Sequence, residues 1–92
     1  MKTFEDLEFE AHPVIPRFDT IAKLMFDNGY GVSVITGEGA YTNSANPYEV
    51  GVLDNAGSLD YTTPITDDVI GYCNESKVTE IMKQIQQLPS LK

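Results

Sequence analysis

The sequence predicts an α+β domain: a four- to five-stranded antiparallel meander sheet with a C-terminal amphipathic helix packed on one face. Three observations predict it. Short segments with period-two alternation flank two glycine turns, Asn28-Gly29 and Asp54-Asn55-Ala56-Gly57. Beyond them Val78, Ile81, Met82, Ile85 and Leu88 recur at helical spacing between Asn74 and Pro89. The chain has 92 residues and is 41% hydrophobic, enough for one small core and too little for two domains.

Residues 1–19 read as an extended N-terminal segment. Leu7-Glu8-Phe9-Glu10 alternates and suits a short edge strand whose acids discourage pairing with another chain. A helical turn over residues 3–8 competes with that reading, because Thr3 is a capping residue with Asp6 three positions on. Pro13 and Pro16, in the run from Ala11 to Arg17, exclude helix and central strand and predict an extended connector.

The antiparallel sheet is expected over residues 20–62. Residues 20–26 form its first strand and Asn28-Gly29 a type I′ turn, which needs positive φ at both central residues. The second strand, residues 30–36, places Tyr30, Val32 and Val34 on one face and Gly31, Ser33 and Ile35 on the other, and Phe26 is expected to meet Val32 or its neighbours across the hairpin. Residues 37–47 carry no periodicity and form a long loop with Tyr41 at its centre. Either Tyr41 folds back on the sheet as part of a mobile spacer, or the loop is a presented surface. The third strand, 48–53, aligns Tyr48, Val50 and Val52 with the valines of the second and sends Glu49, Gly51 and Leu53 to the opposite face. Asp54 to Gly57 fits a type I turn with a left-handed glycine, leading into a fourth strand at 58–62.

Residues 64–72 read as a short helical turn capped by Thr66, with Asp67 and Asp68 favoured by the helix dipole and Gly71 as its stop. Asn74 caps the main helix, 75–88, whose apolar stripe is expected to cover the valine-rich face. The other face is rich in small residues, Gly31, Ser33 and Gly51, and invites a covering element. The N-terminal segment is the first choice for that cover; a partner subunit or a ligand are the others.

Charge narrows the function. The net charge is −8, and outside residues 75–92 twelve acids face three bases. Direct binding of nucleic-acid phosphates needs clustered Lys and Arg, which this chain lacks. A basic protein surface is the complementary partner, although acidity also serves solubility alone. No apolar run is long enough to span a bilayer, and the acidic start lacks a signal peptide's apolar region, so a cytoplasmic protein without membrane contact is expected.

Chemistry-bearing groups are sparse. Cys73 and His12 are the single cysteine and histidine, and Cys73 is expected to be buried and inert. Asp67 and Asp68 are adjacent and do not share a helix face, so they read as capping residues. A metal site would need further oxygens, from Asp54 or Asp60. Gly29-Tyr30-Gly31 and Gly37-Glu38-Gly39 lack the following helix and Lys-Ser/Thr of a phosphate loop. His12 is expected at the surface or in packing, and Tyr30, Tyr48, Tyr61 and Tyr72 in the core. No catalytic residue, cofactor or metal is assigned. The candidate interaction surface consists of Glu38, Tyr41, Asn43 and Asn46 in the long loop and Gly31, Ser33 and Gly51 on the small-residue face.

The strings from Phe26 to Val34, Tyr48 to Leu53 and Tyr61 to Tyr72, with the opening Phe4-Glu5-Asp6-Leu7-Glu8-Phe9, resemble a family of small acidic proteins of tailed bacteriophages and prophages. The resemblance runs over residues 4 to 88 and departs in the loop at 37–47. The family has no assigned activity, so the resemblance implies a genetic context and carries over no functional residue. With the charge, it gives the leading expectation: a non-enzymatic protein that binds a basic host protein, as an inhibitor or nucleic-acid mimic. A small-molecule or nucleotide-sequestering protein is the alternative, an aspartate-dependent metal enzyme ranks third, and homodimerisation is left open.

Overall fold

The structure, a computed structural model, describes residues 1–11 and 18–90. The proline connector and His12 lie outside the described residues. The five strands are β1 (Glu10–Ala11), β2 (Thr20–Met25), β3 (Gly31–Ile35), β4 (Tyr48–Leu53) and β5 (Ile70–Cys73), followed by helix α1 (Glu75–Gln86). They form one sheet in the order β1-β2-β3-β4-β5, antiparallel throughout. The predicted meander with one covering helix is the observed fold.

Both glycine turns have the same construction. At the second, the Gly57 N–H donates to the Asp54 carbonyl (3.0 Å), the Asp54 N–H donates to the Ser58 carbonyl (2.8 Å), and Gly57 takes φ 83°. This is the predicted type I turn with a left-handed glycine. At the first, the Gly29 N–H donates to Phe26 O (3.1 Å), Phe26 N–H donates to Tyr30 O (2.8 Å), and Gly29 takes φ 93°. Asn28 is not among the positive-φ residues, so the turn at Asn28-Gly29 is a three-residue loop and not the expected type I′ turn. The reason lies in the Asn28 side chain. Its Nδ2 donates to Ile85 O (2.8 Å) and Leu88 O (3.2 Å), and its Oδ1 accepts from Tyr30 N–H (3.1 Å). Asn28 is a hairpin residue that closes the C-terminus of α1, where helix carbonyls lack intrahelical donors.

Register follows from these turns. Leu24 pairs with Val32 and Ala22 with Val34, while Val52 and Val50 face the same two valines from β4. Phe26 shares their face, as expected. The valines are fully buried with Val78, Ile81, Met82 and Ile85 of α1, and Tyr30, Tyr48 and Leu88 pack at the margin. Asn74 caps the helix by accepting from Lys77 N–H (2.8 Å). The helix is two residues shorter than the predicted 75–88, ending at Gln86 with Gln87 as its C-cap.

Further expectations are corrected. Residues 58–62 are not a strand: Leu59 makes one isolated bridge to Leu53, and then Asp60 Oδ1 accepts from the N–H and hydroxyl of Thr62, bending the chain off the sheet. Residues 64–72 are not a helical turn, and their last three residues belong to β5. Thr66 caps only a local turn, its Oγ1 accepting from Asp68 N–H (3.1 Å). Among its described residues, the start of the N-terminal segment packs on the helix side, and Phe18 at its end borders the small-residue face. Of its two readings the helical turn forms, at Phe4–Asp6, with the Asp6 carboxylate accepting from Thr3 N–H (2.8 Å). The strand begins only at Glu10. Phe4 N–H donates to Thr79 Oγ1 (3.1 Å), while Gln86 exchanges two hydrogen bonds with the backbone of Lys2 (2.8 and 2.9 Å). Apolar contact adds to this: the Phe4 ring lies 5.1 Å from that of Tyr48 and 5.8 Å from that of Phe9, extending the core.

Candidate interaction surface

Side chains of the protein itself pack over two of the three small residues, Gly31 and Gly51. A Cβ on Gly51 would fall 2.5 Å from Leu59 Cδ2, with Val69 next to it, and one on Gly31 would meet the Met25 sulfur. Gly31, Ser33 and Gly51 are buried. They are therefore not an exposed surface. What remains open on that side is a shallow groove bounded by Phe18, Ile21, Ile35, Leu53 and Leu59, with Lys23 and Ser33 in its wall.

The long loop behaves differently. It is held by its own hydrogen bonds: Ala40 N–H and the Thr42 hydroxyl both donate to Gly37 O, and Asn43 Oδ1 accepts from the N–H groups of Ala45 (3.1 Å) and Asn46 (2.8 Å). Asn43 thus spends its side chain on the loop, and Asn46 is half-buried. Glu38 and Tyr41 are exposed.

Tyr41 is fixed at both backbone polar groups. Its N–H donates to the buried Glu49 carboxylate (3.1 Å), and its carbonyl accepts from Tyr72 N–H (2.8 Å). Its Cβ sits over Gly71, where an added Cβ would come within 2.6 Å. Tyr41 is nevertheless 61% exposed. Tyr41 does fold back on the sheet, by its backbone, while its ring is presented.

Tyr72 is the backbone neighbour of Tyr41. Between the pairs Tyr48↔Cys73 and Val50↔Ile70 the register shifts, so Gly71 and Tyr72 together oppose Glu49. This bulge re-aims the strand. Tyr72 takes φ 55°, the one described non-glycine residue with positive φ, and is 58% exposed. A left-handed tyrosine costs about 1–2 kcal/mol. Tyr72 and Tyr61 were expected in the core, and both are exposed; Tyr30 and Tyr48 do pack there. The available signal was the β-branched and aromatic run Val69-Ile70-Gly71-Tyr72, which resembles a strand as much as a helical turn.

Among the described residues, three titratable groups are shifted by their surroundings. Burial pushes the Cys73 thiol upward against the opposing effect of Lys77, and Cys73 is buried as expected. Burial, with the charge of Glu75, likewise raises the Tyr48 phenol. The hydroxyl and N–H of Thr62 hold the Asp60 carboxyl below its ordinary value. Asp54 Oδ1 accepts from Ala56 and Ser58 N–H groups. Thus Asp54 and Asp60 are occupied in turns, and no group of three His, Cys, Asp or Glu residues able to hold a metal is found among the described residues. No helix among the described residues is long and apolar enough to cross a membrane. Comparison with known proteins found no matching protein-family model, no matching curated protein and no matching solved structure.

Proposed function

We propose that this chain is a small acidic, non-enzymatic interaction protein, encoded by a phage or prophage and acting in the host cytoplasm, that binds a host protein through the Tyr41–Tyr72 patch. The single observation that carries this reading is a pair of exposed tyrosines on hydrogen-bonded neighbouring backbones, one anchored at both polar groups and the other in a costly conformation. Strain of this kind clusters at functional sites, and rigid tyrosines are efficient contact residues because little ordering entropy is lost on binding. With a net charge of −8, the complementary partner is a basic surface, whose Arg and Lys side chains engage tyrosine faces as well as carboxylates. An inhibitor or nucleic-acid mimic is the role that fits such a partner.

A small molecule is the alternative ligand, at the loop around Tyr41 or in the groove beside Ser33, since Gly31 and Gly51 are packed against Met25 and Leu59. The test is capture from host lysate on immobilised wild type and Tyr41→Ala at low and moderate salt. A protein retained by wild type, lost with Tyr41→Ala and weakened by salt is expected. Equal recovery on both, or no specific recovery, overturns the reading.

A further inference from the structure

We propose that Asn28 is a conformation-gated deamidation site, protected while it clasps the C-terminus of α1 and modified when that end opens. The chemistry is intrinsic to an asparagine followed by glycine. The Gly29 backbone nitrogen loses its proton to solvent base and attacks Asn28 Cγ, unhindered because glycine has no Cβ. A C–N bond forms, the Cγ–Nδ2 bond breaks, and ammonia leaves with a proton from solvent. Water then opens the cyclic imide to aspartate or isoaspartate.

The folded structure opposes every part of this step. The Gly29 nitrogen is turned toward the Phe26 carbonyl (3.1 Å). Asn28 Nδ2, the leaving group, donates to Ile85 O and Leu88 O at 2.8 and 3.2 Å, and Oδ1 accepts from Tyr30 N–H at 3.1 Å. Swinging Cγ onto the Gly29 nitrogen breaks the hydrogen bonds that tie the hairpin to the helix. Ring closure therefore requires prior release of the last helical turn.

The product also prevents return. Aspartate at this position turns a carboxylate toward the C-terminal carbonyls of α1, the negative end of the helix dipole. Isoaspartate adds a backbone methylene inside a turn whose geometry is set by the Gly29–Phe26 hydrogen bond. A transient opening is thus converted into a permanent one, and the chain carries a one-way record of how often its helix end has been released.

The test follows Asn28 by peptide mapping and mass spectrometry, in mildly alkaline buffer, for the full chain folded and in guanidinium. Deamidation in the folded chain is expected to be slower by about tenfold or more, since it proceeds only through the opened population. Gln84→Gly, an exposed change in the last turns of α1, weakens the helix without touching Asn28 and is expected to accelerate folded-state deamidation about fivefold. Equal rates in folded and denatured chains overturn the proposal. So does protection that Gln84→Gly leaves unchanged, because the hairpin alone is then the barrier.

Discussion

Asn28→Asp separates two accounts of the hairpin. If Asn28-Gly29 were only a turn signal, aspartate would be nearly neutral, since Asp-Gly serves such turns as well as Asn-Gly. The structure predicts otherwise. Aspartate keeps the acceptor for Tyr30 N–H but loses the two donors to Ile85 O and Leu88 O. Two hydrogen bonds at a half-buried site contribute roughly 1–2 kcal/mol in net terms. A carboxylate against the helix C-terminus adds about 0.3–1 kcal/mol of repulsion. The sum, about 2 kcal/mol, corresponds to a fall in melting temperature on the order of 10 °C for a domain of this size. The assay is urea unfolding by far-ultraviolet circular dichroism with a parallel melt at neutral pH. Repulsion from the helix carbonyls raises the carboxyl pKa of the folded variant, so the deficit should be full near neutrality and shrink on acidification through that value. A loss within 0.5 kcal/mol or so of wild type at neutral pH, inside the range of ordinary surface changes, would refute the clasp.

Other substitutions probe the tyrosine patch and the core. Tyr72→Gly removes about 1–2 kcal/mol of left-handed strain but adds unfolded-state freedom, so a net gain of about 0.5–1 kcal/mol is expected in chemical denaturation, together with loss of partner binding. Gly71→Ala should cost about 1–3 kcal/mol, because its Cβ meets the Tyr41 backbone; Gly51→Ala should cost less, since its nearest neighbour is the rotatable end of Leu59. Burial raises the Cys73 thiol in the folded state, so its contribution to stability is full below the unfolded thiol value of about 8.5 and is lost as pH rises through the folded one. Comparing urea midpoints at neutral and alkaline pH for wild type and Cys73→Ala should show a shallower alkaline decline in the variant.

Sheet and helix were legible in the sequence because their periodicities differ and their turns have specific chemistry. Val32, Val34, Val50 and Val52 announce one face, and Val78 to Ile85 announce its cover. Residues 58–72 were not legible. Asp60-Tyr61-Thr62 offers local side-chain hydrogen bonds that compete with a strand, a competition settled by Leu59 reaching over Gly51. Gly71-Tyr72 reads locally as a helix stop, and only the long-range register against Glu49 makes it a bulge. In the candidate surface Tyr41 was visible as a large aromatic in an irregular loop. Its partner Tyr72 was not, because a positive φ at tyrosine contradicts local preference and arises from tertiary structure.

The order of elements along the chain has a consequence for biosynthesis. The valine face is complete once β4 is made, but its cover, α1, lies after every strand. At ordinary translation rates the valines wait on the order of a few seconds for that cover. The aromatic N-terminus waits too, since Phe4 and Lys2 are tied to Thr79 and Gln86. Hairpins formed before α1 is made would present an open apolar face, and the core closes only when the aromatic segment around Phe4 and α1 come together. Any delay between completion of β4 and docking of α1 would favour aggregation or chaperone capture over folding.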